Sequence, residues 1–94
     1  MHPLIEQYRE ELLAIAARHG IRDVRVFGSM IRDDASEDSD VDLLVSLPPG
    51  RSGLALGGLL MDAQDLLQRK VDVVTEMSLH PALRDRVLRE AQRL

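Results

Sequence analysis

The chain has 94 residues, 45% of them hydrophobic, a net charge of −4, no cysteine, and only Tyr8 and Phe27 as aromatics. This length supports one domain around one core. The lack of cysteine excludes disulfide staples, thiolate metal sites and cysteine nucleophiles, and the negative charge argues against broad nucleic-acid binding, which needs a basic face.

No apolar run approaches the roughly 20 residues of a membrane span, and the N-terminus lacks the basic and apolar regions of a leader. The expectation is a cytoplasmic chain without membrane contact. Leu4, Ile5, Tyr8, Leu12, Ile15 and Ala16 recur at steps of three and four, which predicts one helix over 3–19 that Gly20 terminates. The stretch 21–28 alternates Ile21, Val24 and Val26 with charged residues, a strand running into a tight turn at Phe27-Gly28, and Ser29 to Arg32 suits a short helical turn.

Residues 41–47 form a nearly continuous apolar run closed by Pro48-Pro49-Gly50, as in a central strand buried on both faces. Helical spacing returns over 54–69, although Gly57 and Gly58, each costing about 1 kcal/mol in a helix interior, favour a start nearer Leu59. VDVVT at 71–75 is a third β-branched run. Leu83, Val87, Leu88, Ala91 and Leu94 then predict a last helix with His80-Pro81 at its first turn. The fold class is α/β (α+β): a small mixed sheet of about three strands covered by helices.

Charge is placed unevenly. Residues 33–42 carry six acids and no base, whereas 69–94 carry six bases against four acids, so a cation suits the first region and an acidic surface the second. Asp40 and Asp42 stand two apart at the start of a strand, which puts both on one face with Cα atoms about 6.5–7 Å apart. Asp72 opens the next apolar run in the same way and joins them if the two strands are parallel neighbours.

Carboxylates brought to about 5 Å repel by roughly 3 kcal/mol at an effective dielectric near 20, a large fraction of a small domain's stability. Two Mg²⁺ ions, which take carboxylates together with phosphate oxygens, would relieve that repulsion and clamp an in-line displacement at phosphorus. The plain alternative is a polar strand end with solvated acids. Gly28-Ser29, ten residues ahead of Asp40, offers a backbone that a phosphate can approach and an N–H and hydroxyl at a helical turn. Its plain alternative is a turn glycine followed by a capping serine.

The segment GSMIRDDASEDSDVDLLV resembles the G-S-x10-D-x-D signature of the polymerase-beta-like nucleotidyltransferase superfamily, and within it the minimal nucleotidyltransferase (MNT) family. The likeness runs from Ile21 through VDVV to the LHPALRDRVLREAQRL tail. It implies a polymerase-beta-like core and a single domain over 1–94. It also implies that Gly28 and Ser29 hold the triphosphate of ATP, that Asp40 and Asp42 bind both metals, and that Asp72 binds the catalytic metal and helps deprotonate the acceptor hydroxyl. Arg32 and Ser39 match further motif positions on the nucleotide side. Two residues depart from the pattern: Met30, where arginine is frequent, and Asp33, where glycine is frequent.

A chain this short has little room to bind an acceptor, so the acceptor should come from a partner. The resemblance implies a HEPN-type ribonuclease toxin, assembled with this chain as antitoxin and silenced by AMP transfer to a tyrosine. The other readings are transfer to a small hydroxylated molecule, and a catalytically silent antitoxin that acts by binding. His2, His19 and His80 lack metal-ligand spacing and suit terminal, helix-end and capping roles. PPGRSG at 48–53 lacks the Lys-Ser or Lys-Thr of a P-loop, and Arg84, Arg86, Arg89 and Arg93 are read as the solvated face of the last helix.

Overall fold

His2 sets the start of the first helix: its Nδ1 accepts from the Leu4 amide at 3.0 Å, with Pro3 at the first helical position. The computed structural model describes residues 1–50 and 53–94. The helix expected over 3–19 is two pieces, α1 (Pro3–Gln7) and α2 (Arg9–Arg18), divided where Tyr8 turns to φ −105°. Leu12 N still bonds Tyr8 O at 2.9 Å, so the stripe survives the break. Gly20, at φ 72°, ends α2 as expected: its amide bonds Ala17 O at 3.0 Å and the Ile21 amide bonds Ala16 O at 2.9 Å, the paired closure that a left-handed residue allows.

The chain continues through β1 (Arg22–Phe27), α3 (Ser29–Arg32), β2 (Val41–Ser46), α4 (Leu54–Leu67), β3 (Val71–Thr75), a 3-10 turn (Glu76–Ser78), α5 (Pro81–Glu90) and β4 (Gln92–Arg93). The sheet order is β3-β2-β1-β4, with β2 and β3 parallel and the other pairs antiparallel. β2 is interior, as its apolar run predicts. Ile5, Leu12, Ile15 and Ala16 from α1 and α2, and Leu59, Ala63 and Leu67 from α4, pack with Val26, Val41, Leu43 and Val45 into one core. α5 lies on the opposite face, where Leu44 and Val87 are buried outside that cluster.

Two expectations are corrected. The last helix stops at Glu90: Ala91 is extended, and Gln92–Arg93 forms a fourth strand on the free edge of β1, with the Leu94 amide bonding Val24 O at 3.1 Å. Pairing with β1 satisfies backbone groups that a final helical turn would have left to solvent. Arg93 thus leaves the helix and meets Asp23 at 3.2 Å. α4, in turn, starts at Leu54 and runs through Gly57 and Gly58. A Cβ on Gly58 would strike the His19 ring, which lies across α4 and bonds Asp62 Oδ2 through Nε2 at 2.8 Å. That glycine makes room for a contact between helices. Of the PPGRSG segment, Arg51 and Ser52 lie outside the described residues.

Candidate active site

β1 ends at Phe27 and delivers Gly28 at φ 76°, a conformation that side chains with a Cβ rarely adopt. A Cβ there would also collide with Asp42 Oδ2, so both the backbone and its neighbour require glycine. Ser29 heads α3, and Asp33 closes it in the left-handed region at φ 62°, a geometry an aspartate tolerates where glycine is the easier choice. Met30 is fully buried in the core, so the cation of this segment that reaches the site is Arg32.

The acids fall where strand register puts them. Asp42 pairs with Asp72 across the parallel β2/β3 ladder, and partners in such a ladder project from the same face. Asp42 also opposes Phe27 on β1. Asp40 precedes β2, and its Oδ2 lies 3.8 Å from Lys70 Nζ. Register, which side-chain rotation cannot change, fixes the shared face of Asp42 and Asp72. Among the described residues no three His, Cys, Asp or Glu side chains form a group that could hold a metal ion as they stand.

Electrostatics mark the same spot. Burial, then the neighbouring Asp72 and Asp40 charges, push the Asp42 carboxyl up to about 6, with Arg32 pulling the other way. A set of donors that is all carboxylate has the chemistry that suits a hard divalent cation.

Other residues shape the site without a clear sequence signal. Arg69 Nη1 donates to Ser36 O at 3.0 Å and Ser39 O at 3.2 Å, pinning the loop before Asp40 to the start of β3. Ser39 uses its own hydroxyl within that loop, accepting from the Ser36 amide at 2.7 Å. Glu90, at the end of α5, accepts from the Gly28 amide through Oε2 and from Arg32 Nη1 through Oε1, both at 2.8 Å. Its one sequence clue is an acid in the last turn of a helix, where the dipole disfavours negative charge.

Phe27, Gly28, Arg32, Asp42, Arg86 and Glu90 line a cleft of about 240 Å³. Arg86, exposed on α5 as a solvated face requires, also borders this cleft. A larger hollow of about 510 Å³ near Gly20 and Pro48 is lined, among the described residues, by no acid or nucleophile. The three histidines serve helix ends: His2 and His80 cap α1 and α5, and His19 ends α2.

A left-handed Gly28 turn into a short helix, followed by paired acids on neighbouring parallel strands, is the arrangement that the resemblance to nucleotidyltransferases implies. The family model described as nucleotidyltransferase domain matches residues 5–94, and the chain belongs to that family. It is similar to the protein adenylyltransferase MntA of Thermococcus cleftensis, 42% identical over 73 residues that cover 78% of this chain and 74% of the relative. It is also similar to MJ0435 of Methanocaldococcus jannaschii, provisionally named a protein adenylyltransferase, 38% identical over 93% of this chain and 94% of the relative.

Among solved structures, one provisionally named a minimal nucleotidyltransferase superposes with a TM-score of 0.85 and 47% identity, covering all of this chain and 97% of the other. A toxin-antitoxin structure with AMP-PNP shares the fold, at a TM-score of 0.70 and 21% identity over 89% and 70% of the two chains. The polymerase-beta-like fold and nucleotidyltransferase class expected from the sequence both hold. The sheet has four strands rather than about three.

Proposed function

We propose that the chain is the antitoxin of a toxin–antitoxin pair and moves AMP from ATP to a tyrosine hydroxyl of a HEPN-type ribonuclease toxin in the cytoplasm, silencing it. The observation that carries the reading is the register of Asp42 with Asp72 on one sheet face, with Gly28 against Asp42. The protein acceptor is supported by relatives named for protein adenylylation and by the fold shared with toxin-antitoxin structures.

In the transfer, the acceptor oxygen forms a bond to the α-phosphorus, the bond from that phosphorus to the bridging oxygen breaks, and pyrophosphate leaves. Asp72 takes the hydroxyl proton. Gly28, Ser29 and Arg32 hold the triphosphate, and Ser39 steadies the loop that presents Asp40. Asp40 and Asp42, joined by Asp72, would hold two Mg²⁺ ions, which neutralise phosphate charge and activate both the attacking and the leaving oxygen.

The test is to incubate the chain with its cognate toxin, ATP and Mg²⁺ and to weigh the toxin by mass spectrometry. The expected result is a gain of AMP units on a tyrosine, absent with Asp42→Asn. No gain with the wild-type chain would reject the proposal. Undiminished toxin protection by Asp42→Asn would mean that the chain acts by binding alone.

A further inference from the structure

The Gly28 amide and the Arg32 guanidinium, two of the groups proposed above to hold the triphosphate, are already engaged from within the chain. Glu90 stands 62 residues beyond Gly28, yet its carboxylate spans the Gly28 amide and the Arg32 guanidinium with two bonds of 2.8 Å. The side chain is only 14% exposed. Two oxygens of one anion on an N–H and a guanidinium form the pattern that a phosphate edge would also make with these donors. Burial pushes the Glu90 carboxyl up, but the Gly28 amide and Arg32 outweigh it and hold it below the ordinary value, so the group is an anion at neutral pH.

We propose that Glu90 is a built-in competitor of the nucleotide's phosphates: ATP gains Gly28 and Arg32 only when this carboxylate leaves them, so Glu90 sets the affinity of the site for nucleotide. The proposal rests on the nucleotidyl-transfer reading above. Geometry supplies a place for the displaced group, because Arg86 lies one turn earlier on α5, lines the same cleft and already attracts Glu90. Met30 adds to the effect. With that side chain buried in the core, Arg32 is the guanidinium of the Gly28-to-Arg32 turn that faces the cleft, and Glu90 neutralises it.

A purely structural role, in which Glu90 only satisfies a buried amide, predicts the opposite response to substitution. The experiment is titration calorimetry of ATP with Mg²⁺ into the wild type, Glu90→Gln and Glu90→Ala, with ligand-free melting curves alongside. Gln keeps an oxygen for the Gly28 amide and carries the test if the alanine variant does not fold. Competition predicts ATP binding about tenfold tighter in the variants, since a hydrogen-bonded charge no longer has to be displaced. Inorganic triphosphate should follow the same order, because the released donors recognise phosphate rather than base. Equal or weaker ATP binding by folded Glu90→Gln, beside measurable binding by the wild type, overturns the competition and leaves the transfer reading standing. ATP binding by none of the three proteins rejects both.

Discussion

Asp42 and Asp72 stand in register on neighbouring parallel strands, two carboxylates on one sheet face at the spacing of adjacent strands, about 4.8 Å. Such a pair costs the ligand-free protein stability, because each charge disfavours ionisation of the other. Replacing Asp42 by Asn removes a half-buried acid that both neighbours oppose. After discounting for solvent screening, the ligand-free melting midpoint should rise by about 2–5 °C at neutral pH. Nucleotidyl transfer should fall by at least ~100-fold, because a direct ligand should matter at least as much as an outer-shell one. Calorimetry and an adenylylation assay on one preparation read both effects.

The pH dependence follows from the same carboxyl. Asp42 titrates near 6 in the folded chain against an ordinary 3.8, so the native state holds this proton more tightly. Its contribution to stability is therefore fully present below about pH 4 and is lost as pH rises through 6. Glu90 acts with the opposite sign: its lowered value gives stability that is present above the ordinary 4.5 and is lost on acidification. A cation competes with the Asp42 proton, so the midpoint gain from added Mg²⁺ should be largest above pH 7 and fade below 6. Melting curves from pH 5 to 8, with and without Mg²⁺, test this, and a gain independent of pH would contradict it.

Local pattern carried much of this fold into the sequence. β1, α3, β2 and β3 lie where the apolar runs and the Gly28-Ser29 turn put them, because each is specified by neighbours within a few residues. The shared face of Asp42 and Asp72 was legible only through an assumption of parallel neighbours, which the ladder satisfies. Long-range relationships were not legible. Glu90 meets Gly28 across 62 residues, Arg69 reaches Ser36 across 33, and neither distance leaves a periodic trace. Ala91 and Leu94 fit a helical stripe, but the open edge of β1 competes for that backbone and wins. Gly58 reads as a helix breaker because its reason, the His19 ring, comes from another helix.

Gly57 and Gly58 are neighbours in α4 with different surroundings, so the same substitution should have different outcomes. Among the described residues, and apart from its own helical turn, nothing lies within 4 Å of a Cβ built on Gly57. Gly57→Ala should therefore stabilise the chain by about 1 kcal/mol, the helix preference of alanine over glycine. Gly58→Ala gains the same preference but displaces His19 from its 2.8 Å bond to Asp62, and should come out neutral or destabilising by about 1 kcal/mol. Urea unfolding of the two variants checks the contrast, and equal gains would mean that the His19 contact contributes nothing.

Arg69 offers the most direct test of how the acids are held relative to one another. It immediately precedes Lys70, whose carbonyl accepts from the Val41 amide at 2.9 Å and whose ammonium faces Asp40, while Arg69 itself grips the carbonyls of Ser36 and Ser39. The loop bearing Asp40 is therefore tied to the strand bearing Asp72 by one guanidinium and one backbone bond. Arg69→Ala should leave the ATP requirement largely unchanged but raise the Mg²⁺ concentration for half-maximal transfer by about tenfold, the usual effect of losing an outer-shell support. Arg69→Lys, which keeps the charge but can no longer fork between two carbonyls, should recover only part of that loss. Rate against Mg²⁺ at saturating ATP is the measurement. A uniform fall in rate with an unchanged Mg²⁺ midpoint would show that Arg69 supports the fold without positioning the acids.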